Sequence, residues 1–184
     1  MAAAAAALPE VDETPQVVVA GLGRMGGAIV RMLHGEGVRL VALDTSIESV
    51  SRSSEPDGPL VFFGDPSRSE ILRAARVDQA KLVIVATDDP QANLKAADVL
   101  AHLYPQTPVI AAARDSQEAL RLLAMGVDPV RETFHSSLEM ARRALITLGY
   151  SEEQASAWVQ RYQRQEARRL LDQQHGKGDF PGAR

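Results

Sequence analysis

Five short apolar runs punctuate the chain: Gln16–Ala20 (QVVVA), Val38–Leu43 (VRLVAL), Leu60–Phe63 (LVFF), Leu82–Ala86 (LVIVA) and Val109–Ala113 (VIAAA). Each is too short for a helix, and most are apolar or β-branched throughout. Such runs suit strands buried on both faces, as in a parallel sheet. Segments of helical period lie between them. The first is Met25–His34. The second is Ser67–Ala75, with Asp65 expected as N-cap and Pro66 as the first helical residue. The third is Gln91–Tyr104, with Leu94, Ala97, Leu100 and Leu103 on one face, and the fourth is Ser116–Met125, closed by Gly126. Strand alternating with helix predicts a doubly wound α/β sheet with right-handed crossovers.

After Val130 the pattern changes, and near residue 133 continuous helix is expected. Ser136-x-x-Glu139 reads as a capping box opening a helix that Gly149 ends. Phe134, Leu138, Ala141, Leu145 and Leu148 repeat at helical spacing, and Met140 and Ala144 add apolar surface on another side. A helix this apolar is expected to be covered on more than one face, by the domain or by a second subunit. Ser151-x-x-Gln154 is a second capping box, starting a helix expected to reach Gln174 with Ala155, Trp158, Tyr162 and Leu170 near one stripe. The expected organisation is a linker or disordered lead over 1–14, an α/β domain over 15–132, a helical extension over 133–174, and a disordered Gly/Pro-rich tail over 175–184.

Composition narrows the reading. The 184 residues suffice for one domain with a real core and helical additions. The formal net charge of −4 offers no global basic field for nucleic acid. The charge is uneven: residues 1–139 hold 12 Lys and Arg against 19 Asp and Glu, and residues 140–184 hold 8 against 5. A solvated, Arg-rich helix face accounts for the second half. The absence of Cys removes disulfides, thiolate catalysis and Cys-type zinc sites. No apolar run has the length of a membrane span, and the alanine tract Met1–Leu8 lacks the basic start of a signal peptide. The chain as given is expected to be soluble and cytoplasmic.

The strongest local signal is Gly21-Leu22-Gly23-Arg24-Met25-Gly26, a G-x-G-x-x-G that follows a strand and opens a helix. Gly21 is expected to make the tight turn, Gly23 to let the backbone approach a phosphate, and Gly26 to let the helix lie close on the sheet. The helix N-terminus then offers N–H groups and partial positive charge to an anion. Asp44 ends the second strand, where a carboxylate accepts from ribose hydroxyls and repels a 2′-phosphate, which favours NAD or AMP over NADP. Thr45-x-x-Glu48 is also a capping box, so Asp44 and Thr45 read equally as caps of the next helix. The other strand ends bring Gly64 and Asp65, Ala86, Thr87 and Asp88, and Arg114 toward the same crevice. For Asp88 and Asp115, capping is at least as good a reading as ligand contact.

The four histidines, His34, His102, His135 and His175, are scattered and share no metal-ligand spacing. The segment after Val130 is too short and too helical for a catalytic domain. The pattern therefore predicts nucleotide binding without catalysis, in a Rossmann-like sheet followed by a C-terminal helical extension.

The motifs VAGLGRMGGAIVRML, ALD (42–44), FFGDPSRSEILRAA (62–75), ATDDPQANL (86–94), AAARD (111–115), GVDPVRETFHSSLEMAR (126–142) and LGY (148–150) cover most of the chain. Together they resemble the regulatory nucleotide-binding domain of potassium transport systems (TrkA-N, RCK or KTN), and within it the cytosolic C-terminal domain of Kef-type glutathione-regulated potassium efflux antiporters. The resemblance implies NAD(H) or AMP in the crevice and a homodimer formed through the nucleotide domains and the helices after them. It also implies a membrane antiporter domain that precedes this one in the chain and is gated by it. The abrupt start is expected of an excised cytosolic fragment from the inner face of a bacterial inner membrane. A soluble subunit of a separate potassium channel or transporter is the alternative, and a small NAD-dependent oxidoreductase the enzymatic one. The resemblance further implies an effector of glutathione type held between subunits by Arg31 on the first helix and Arg131 of RETF. Arg31 reads equally as an exposed helix residue, and Arg131 as a structural ion pair with a neighbouring helix. At a third family position, an Asn on the last helix, this sequence has Glu166. A carboxylate there suits an amine or an Arg, and it does not mimic an amide beside an anion.

Overall fold

The computed structural model describes residues 14–176. Six parallel strands form one sheet in the order β3-β2-β1-β4-β5-β6. They are β1 (Val17–Ala20), β2 (Leu40–Asp44), β3 (Leu60–Phe63), β4 (Leu82–Val85), β5 (Val109–Ala113) and β6 (Asp128–Arg131). Helices α1 (Arg24–Gly35), α2 (Ile47–Ser53), α3 (Ser69–Ala74), α4 (Pro90–Leu103) and α5 (Ser116–Ala124) connect them. Helices α6 (Phe134–Thr147) and α7 (Glu152–Gly176) follow the sheet. This is the expected Rossmann-like doubly wound sheet with a C-terminal helical extension.

Because side chains alternate across a strand, each central strand feeds two cores. Val18, Val41, Leu43, Val83 and Val85 face α3, α4 and α5, where Leu72, Leu100 and Leu122 are fully buried. Val17, Val19, Leu40, Ala42 and Ile84 face α1 and α2, packed by Val30, Ile29 and Val50. Burial on both faces is why β1, β2, β4 and β5 read as continuous apolar runs.

Helices α1, α5 and α6 stop by the same device. Gly37, Gly126 and Gly149 take positive φ. The amide of each glycine donates back into the last turn, and so does the amide of the residue after it; Gly149 N–H reaches Ile146 O and Tyr150 N–H reaches Leu145 O. The Ser151–Gln154 box is reciprocal: Gln154 N–H donates to Ser151 Oγ, and Ser151 N–H donates to Gln154 Oε1.

Several local expectations are corrected. The expected α3 began at Ser67 with Asp65 as its N-cap; the helix begins at Ser69, and Asp65 instead accepts Ser67 N–H at 2.8 Å to shape the preceding turn. Ser46, not Thr45, caps α2 by accepting Ser49 N–H. Ser136 and Glu139 do not open α6. The pairing with β5 continues through Glu132 N–H to Ala113 O, so the chain enters the helix directly at Phe134. Glu139 then lies inside α6 and pairs with Arg142 and Arg143. Strand β6 was not anticipated, because Pro129 interrupts a four-residue run. Proline is tolerated there because β6 is the edge of the sheet.

On α7 the inward stripe is Ala155, Val159, Gln163, Glu166 and Leu170, and it leaves Trp158 and Tyr162 half out. On α6, Leu138 is buried, while Met140 (73% exposed) and, at the C-cap, Leu148 (76%) stand free of the domain. Of the lead expected over 1–14 and the disordered tail expected over 175–184, residues 1–13 and 177–184 lie outside the described residues. The tail's start is corrected, because α7 runs on through Gly176, two residues past its expected end.

Two consequences follow from this packing. Leu72→Ala removes a fully buried side chain and should cost about 2–5 kcal/mol in a urea titration. The second concerns the clasp between α6 and α7, in which Arg142 bridges Glu139 and Glu152. Hydrogen bonds from Arg142 and Arg143 pull the Glu139 carboxyl from 4.5 down to about 2. A lowered carboxylate stabilises the fold above its unfolded pKa, and that contribution is lost as pH falls through the folded value. Acid unfolding of Glu139→Gln should therefore show a shallower loss of stability between about pH 4.5 and about pH 2 than the parent chain.

Candidate functional site

The strand order reverses between β1 and β4, and the crevice of an open α/β sheet lies at that point, beyond the carboxyl ends of the strands. Here it is a cavity of about 630 Å3 lined by the ends of β1, β2 and β4, the turn after β3 and the first turn of α4. The glycine turn sits at its floor. Gly21 has φ +109°, and a Cβ on it would strike the Ala86 carbonyl. A Cβ on Gly26 would strike the Gly21 carbonyl, so no larger residue lets α1 approach the turn. Gly23 is the N-cap of α1, offers no side-chain cap, and is followed by no acidic residue in the first turn.

Asp44 binds this turn to the second strand. Its Oδ2 accepts Leu22 N–H at 2.6 Å, and its Oδ1 accepts Ser46 N–H at 2.7 Å. A carboxylate has about four acceptor positions, so the group holds both loops and keeps lone pairs toward the cavity. Thr45, Asp65, Thr87 and Asp88 line the same space. Burial raises the Asp65 carboxyl, but the Ser67 hydrogen bonds and the Lys95 and Arg68 cations outweigh it and hold the group below its usual range. The Asp88 carboxylate lies against Gly23 and stands 4.0 Å from Arg24 Nε. The outer end of α1 is thus screened by a carboxylate of the chain itself.

Not every expected residue reaches this cavity. Leu22 and Ala86 are buried in the wall, Met25 packs in the core under α1, and Gly26 and Gly64 are buried. Arg24 lines a neighbouring cavity of about 420 Å3 between α1 and α2, with Arg31, His34 and Arg52. Arg114 is a correction: it lies at the end of β5, on the far side of β4, and lines a third cavity of about 460 Å3 with Arg131, Phe134, Trp158, Tyr162 and Glu166. Its guanidinium is 3.1 Å from Glu118 Oε1, a Coulombic contact without an aligned hydrogen bond, while its amide donates to Glu118 Oε2 at 2.8 Å. In one chain, therefore, Arg131 and Glu166 meet, and Arg31 lines a different cavity.

The sequence reading missed Ser46, Gln91 and Lys95 in the crevice wall, and Asn93 behind it. Asn93 is 1% exposed. Its Oδ1 accepts the Thr87 amide (2.9 Å) and hydroxyl (2.7 Å), and its Nδ2 donates to Thr87 O and Ala112 O. A polar residue on the apolar face of α4, between Ala92 and Ala96, was the available signal. Among the described residues no group of His, Asp and Glu could hold a metal ion, and no helix is long and apolar enough to cross a membrane.

Residues 17–131 match the TrkA-N domain family. The glutathione-regulated potassium-efflux system protein KefC of Cronobacter sakazakii is 40% identical over 148 residues, covering 79% of this chain and 24% of the relative. KefC of Salmonella paratyphi B is 35% identical over 172 residues, covering 92% and 28%. The chain thus spans about a quarter of these relatives. Among solved structures, the Kef CTD of Shewanella denitrificans in its AMP-bound form is similar with a TM-score of 0.77 and 32% identity, over 86% of this chain and 97% of that one. The TrkA-N domain of the inner membrane protein YbaL from Escherichia coli shares the fold, with a TM-score of 0.65 and 20% identity over 76% and 100%.

The Asn93 network makes a prediction. Asn93→Ala leaves the half-buried Thr87 amide without its partner, and should lower stability by about 1–3 kcal/mol in chemical denaturation. Hydrogen exchange at Thr87 and Asp88 should accelerate more than at the strand centres.

Proposed function

The chain belongs to the TrkA-N domain family, and from that premise we propose that it is a nucleotide-binding regulatory domain that gates a monovalent-cation efflux antiporter. The observation that carries the reading is the crevice at the β1–β4 switch point, where a side-chain-free helix start, a ribose-type carboxylate and the Asp65 turn converge. These residues fit an adenine nucleotide. Asp44 and Thr45 would hold the ribose, Asp65, Gln91 and Lys95 would flank the base, and the α1 start would take a phosphate in place of Asp88. The nucleotide supplies binding energy and phosphate charge rather than a reaction. AMP or NAD(H) is the ligand, in line with the AMP-bound Kef CTD. Asp44 disfavours a 2′-phosphate. The domain acts by binding and turns over no substrate.

A homodimer supports this role. Met140 in the middle of α6, and Ile146, Leu148 and Tyr150 at and past its end, leave apolar surface that the domain does not cover, and a second copy is the partner the family likeness favours. Arg31 and Arg131 line separate cavities of one chain. A joint anion site would therefore take one from each subunit, with an effector of glutathione type between them. The gated partner is a membrane antiporter domain, N-terminal in the same polypeptide, which would set this domain on the cytoplasmic side of a bacterial inner membrane. No nucleic acid is involved.

Three measurements test the reading. Asp44→Ala should weaken AMP by about 1.5–3 kcal/mol in titration calorimetry, through loss of charge-assisted hydrogen bonds. AMP should raise the melting temperature of the parent chain, because a ligand of the folded state stabilises it by mass action; an unchanged midpoint at saturating AMP removes the nucleotide assignment. Light scattering should give a dimer at micromolar concentration. Leu148→Asp, at an exposed position, should give a folded monomer, since it places a charge in the apolar contact without disturbing the core.

A further inference from the structure

We infer that Glu166 occupies from within the chain the anion position beside Arg131, so that an anionic effector enters only by displacing it and thereby releasing the middle of α7. This rests on the effector reading given above.

The Arg131 guanidinium is already aimed. Its Nη1 donates to Ser116 Oγ at 2.8 Å and to Glu166 Oε1 at 3.0 Å, and its Cζ lies 4.0 Å from the Phe134 ring centroid. The two charged side chains are only 15% and 14% exposed. A guanidinium fixed on three sides, one of them an aromatic face, needs no further ordering to take a carboxylate, and a carboxylate of the chain is already there.

The charge of the cavity decides which carboxylate can leave. Its other cation, Arg114, stands 3.1 Å from Glu118 and 3.7 Å from Asp115. Both guanidiniums are therefore matched by carboxylates of the chain. Adding an anionic ligand would leave net negative charge in a half-buried space, which is costly unless a carboxylate departs. Asp115 cannot leave, because it caps α5 by accepting the Gln117 and Glu118 amides. Glu118 is buried and holds the Arg114 amide. Glu166 has Arg131 as its hydrogen-bond partner among the described residues and sits on the outermost helix, so it is the group that can depart.

Displacement carries structure with it. Trp158 and Tyr162 precede Glu166 by eight and four residues, on the same face of α7, and stack at 5.5 Å between centroids. Tyr162 also reaches Phe134, beneath Arg131, at 6.4 Å. A ligand that expels Glu166 therefore moves the aromatic wall, and Trp158, the one tryptophan of the chain, reports it. The internal carboxylate also lowers effector affinity, because the site is competent only in the fraction of molecules in which the pair is open.

The experiment titrates glutathione into the full chain, Glu166→Gln, and Arg131→Gln/Glu166→Gln, by calorimetry and Trp158 fluorescence, with AMP titrated into each as a check on the fold. The glutamine keeps the length and polarity of the side chain and removes its charge. Glu166→Gln should bind glutathione at least tenfold more tightly than the parent, the double variant should lose the gain, and AMP affinity should be equal in all three. Should Glu166→Gln fail to fold, Glu166→Asn carries the same expectation. Equal glutathione affinity in parent and Glu166→Gln overturns the inference and leaves the effector reading standing. A gain that survives in the double variant overturns it too. Binding to neither removes the inference and the effector reading together, with the nucleotide reading judged by AMP alone.

Discussion

The contact on which the crevice depends is the seat of the β1–α1 turn against the end of β4. Gly21 donates its amide to Leu43 O at 2.8 Å and lies against the Ala86 carbonyl without room for a side chain. Asp44 then fixes the next amide, Leu22, to the end of β2. Three strand ends are thereby tied into one surface at the point where the sheet order reverses. Asn93 ties in β5 by bonding Thr87 and Ala112 at once. The floor of the cavity is thus rigid main chain, and what lines its rim is exposed side chain. That division suits a site that must hold a ligand firmly while its charge is set by residues free to move aside.

Carboxylates do several jobs in this domain, and burial decides which. Asp89 and Asp115 cap helices, and the hydrogen bond from the Glu118 amide helps keep the Asp115 carboxyl below its usual range. Glu118 is buried beneath the end of β5 and holds the Arg114 amide in place. Asp88 and Glu166 differ from these. Each lies beside cationic or helix-start surface, and neither accepts a main-chain N–H among the bonds of the described residues. A caps-and-clamps carboxylate loses hydrogen bonds to the backbone when it moves, whereas a paired one exchanges one anion for another. The second kind of substitution is close to neutral in charge, which makes it compatible with a coupling of the ~1–3 kcal/mol typical of allosteric proteins.

The C-terminal extension is attached to the sheet by few groups. Its inward stripe on α7 is small or polar apart from Val159 and Leu170, and Arg131–Glu166 is its half-buried ion pair to β6. The Arg142 bridge to Glu139 and Glu152 holds α6 and α7 to each other rather than to the strands. The two helices therefore form a unit of their own, docked at the sheet edge, with apolar residues on and just past α6 left uncovered by the domain. A unit docked in this way can shift against the sheet at a smaller cost than unpacking either core.

The first five strands, the helices between them and the glycine turn were legible in the sequence: burial on both faces leaves continuous apolar runs in the four central strands, the edge strand β3 is apolar throughout as well, and a turn at φ +109° admits little but glycine. Asp44 was legible for the same reason: its place after the second strand is a fixed offset from that turn. Other features were decided only by the tertiary structure. Pairing at the sheet edge, not local propensity, makes Asp128–Arg131 a strand despite Pro129. That pairing places Arg131 at the ligand end of the sheet, and docking of α7 brings Glu166, 35 residues later, within 3.0 Å of it. Arg114 looked like a crevice residue by its offset after β5, yet β4 separates it from the glycine turn and the third cavity claims it. Periodicity records which side of its own element a residue occupies. Which elements become neighbours, and so which charges meet, is set by the topology of the whole sheet.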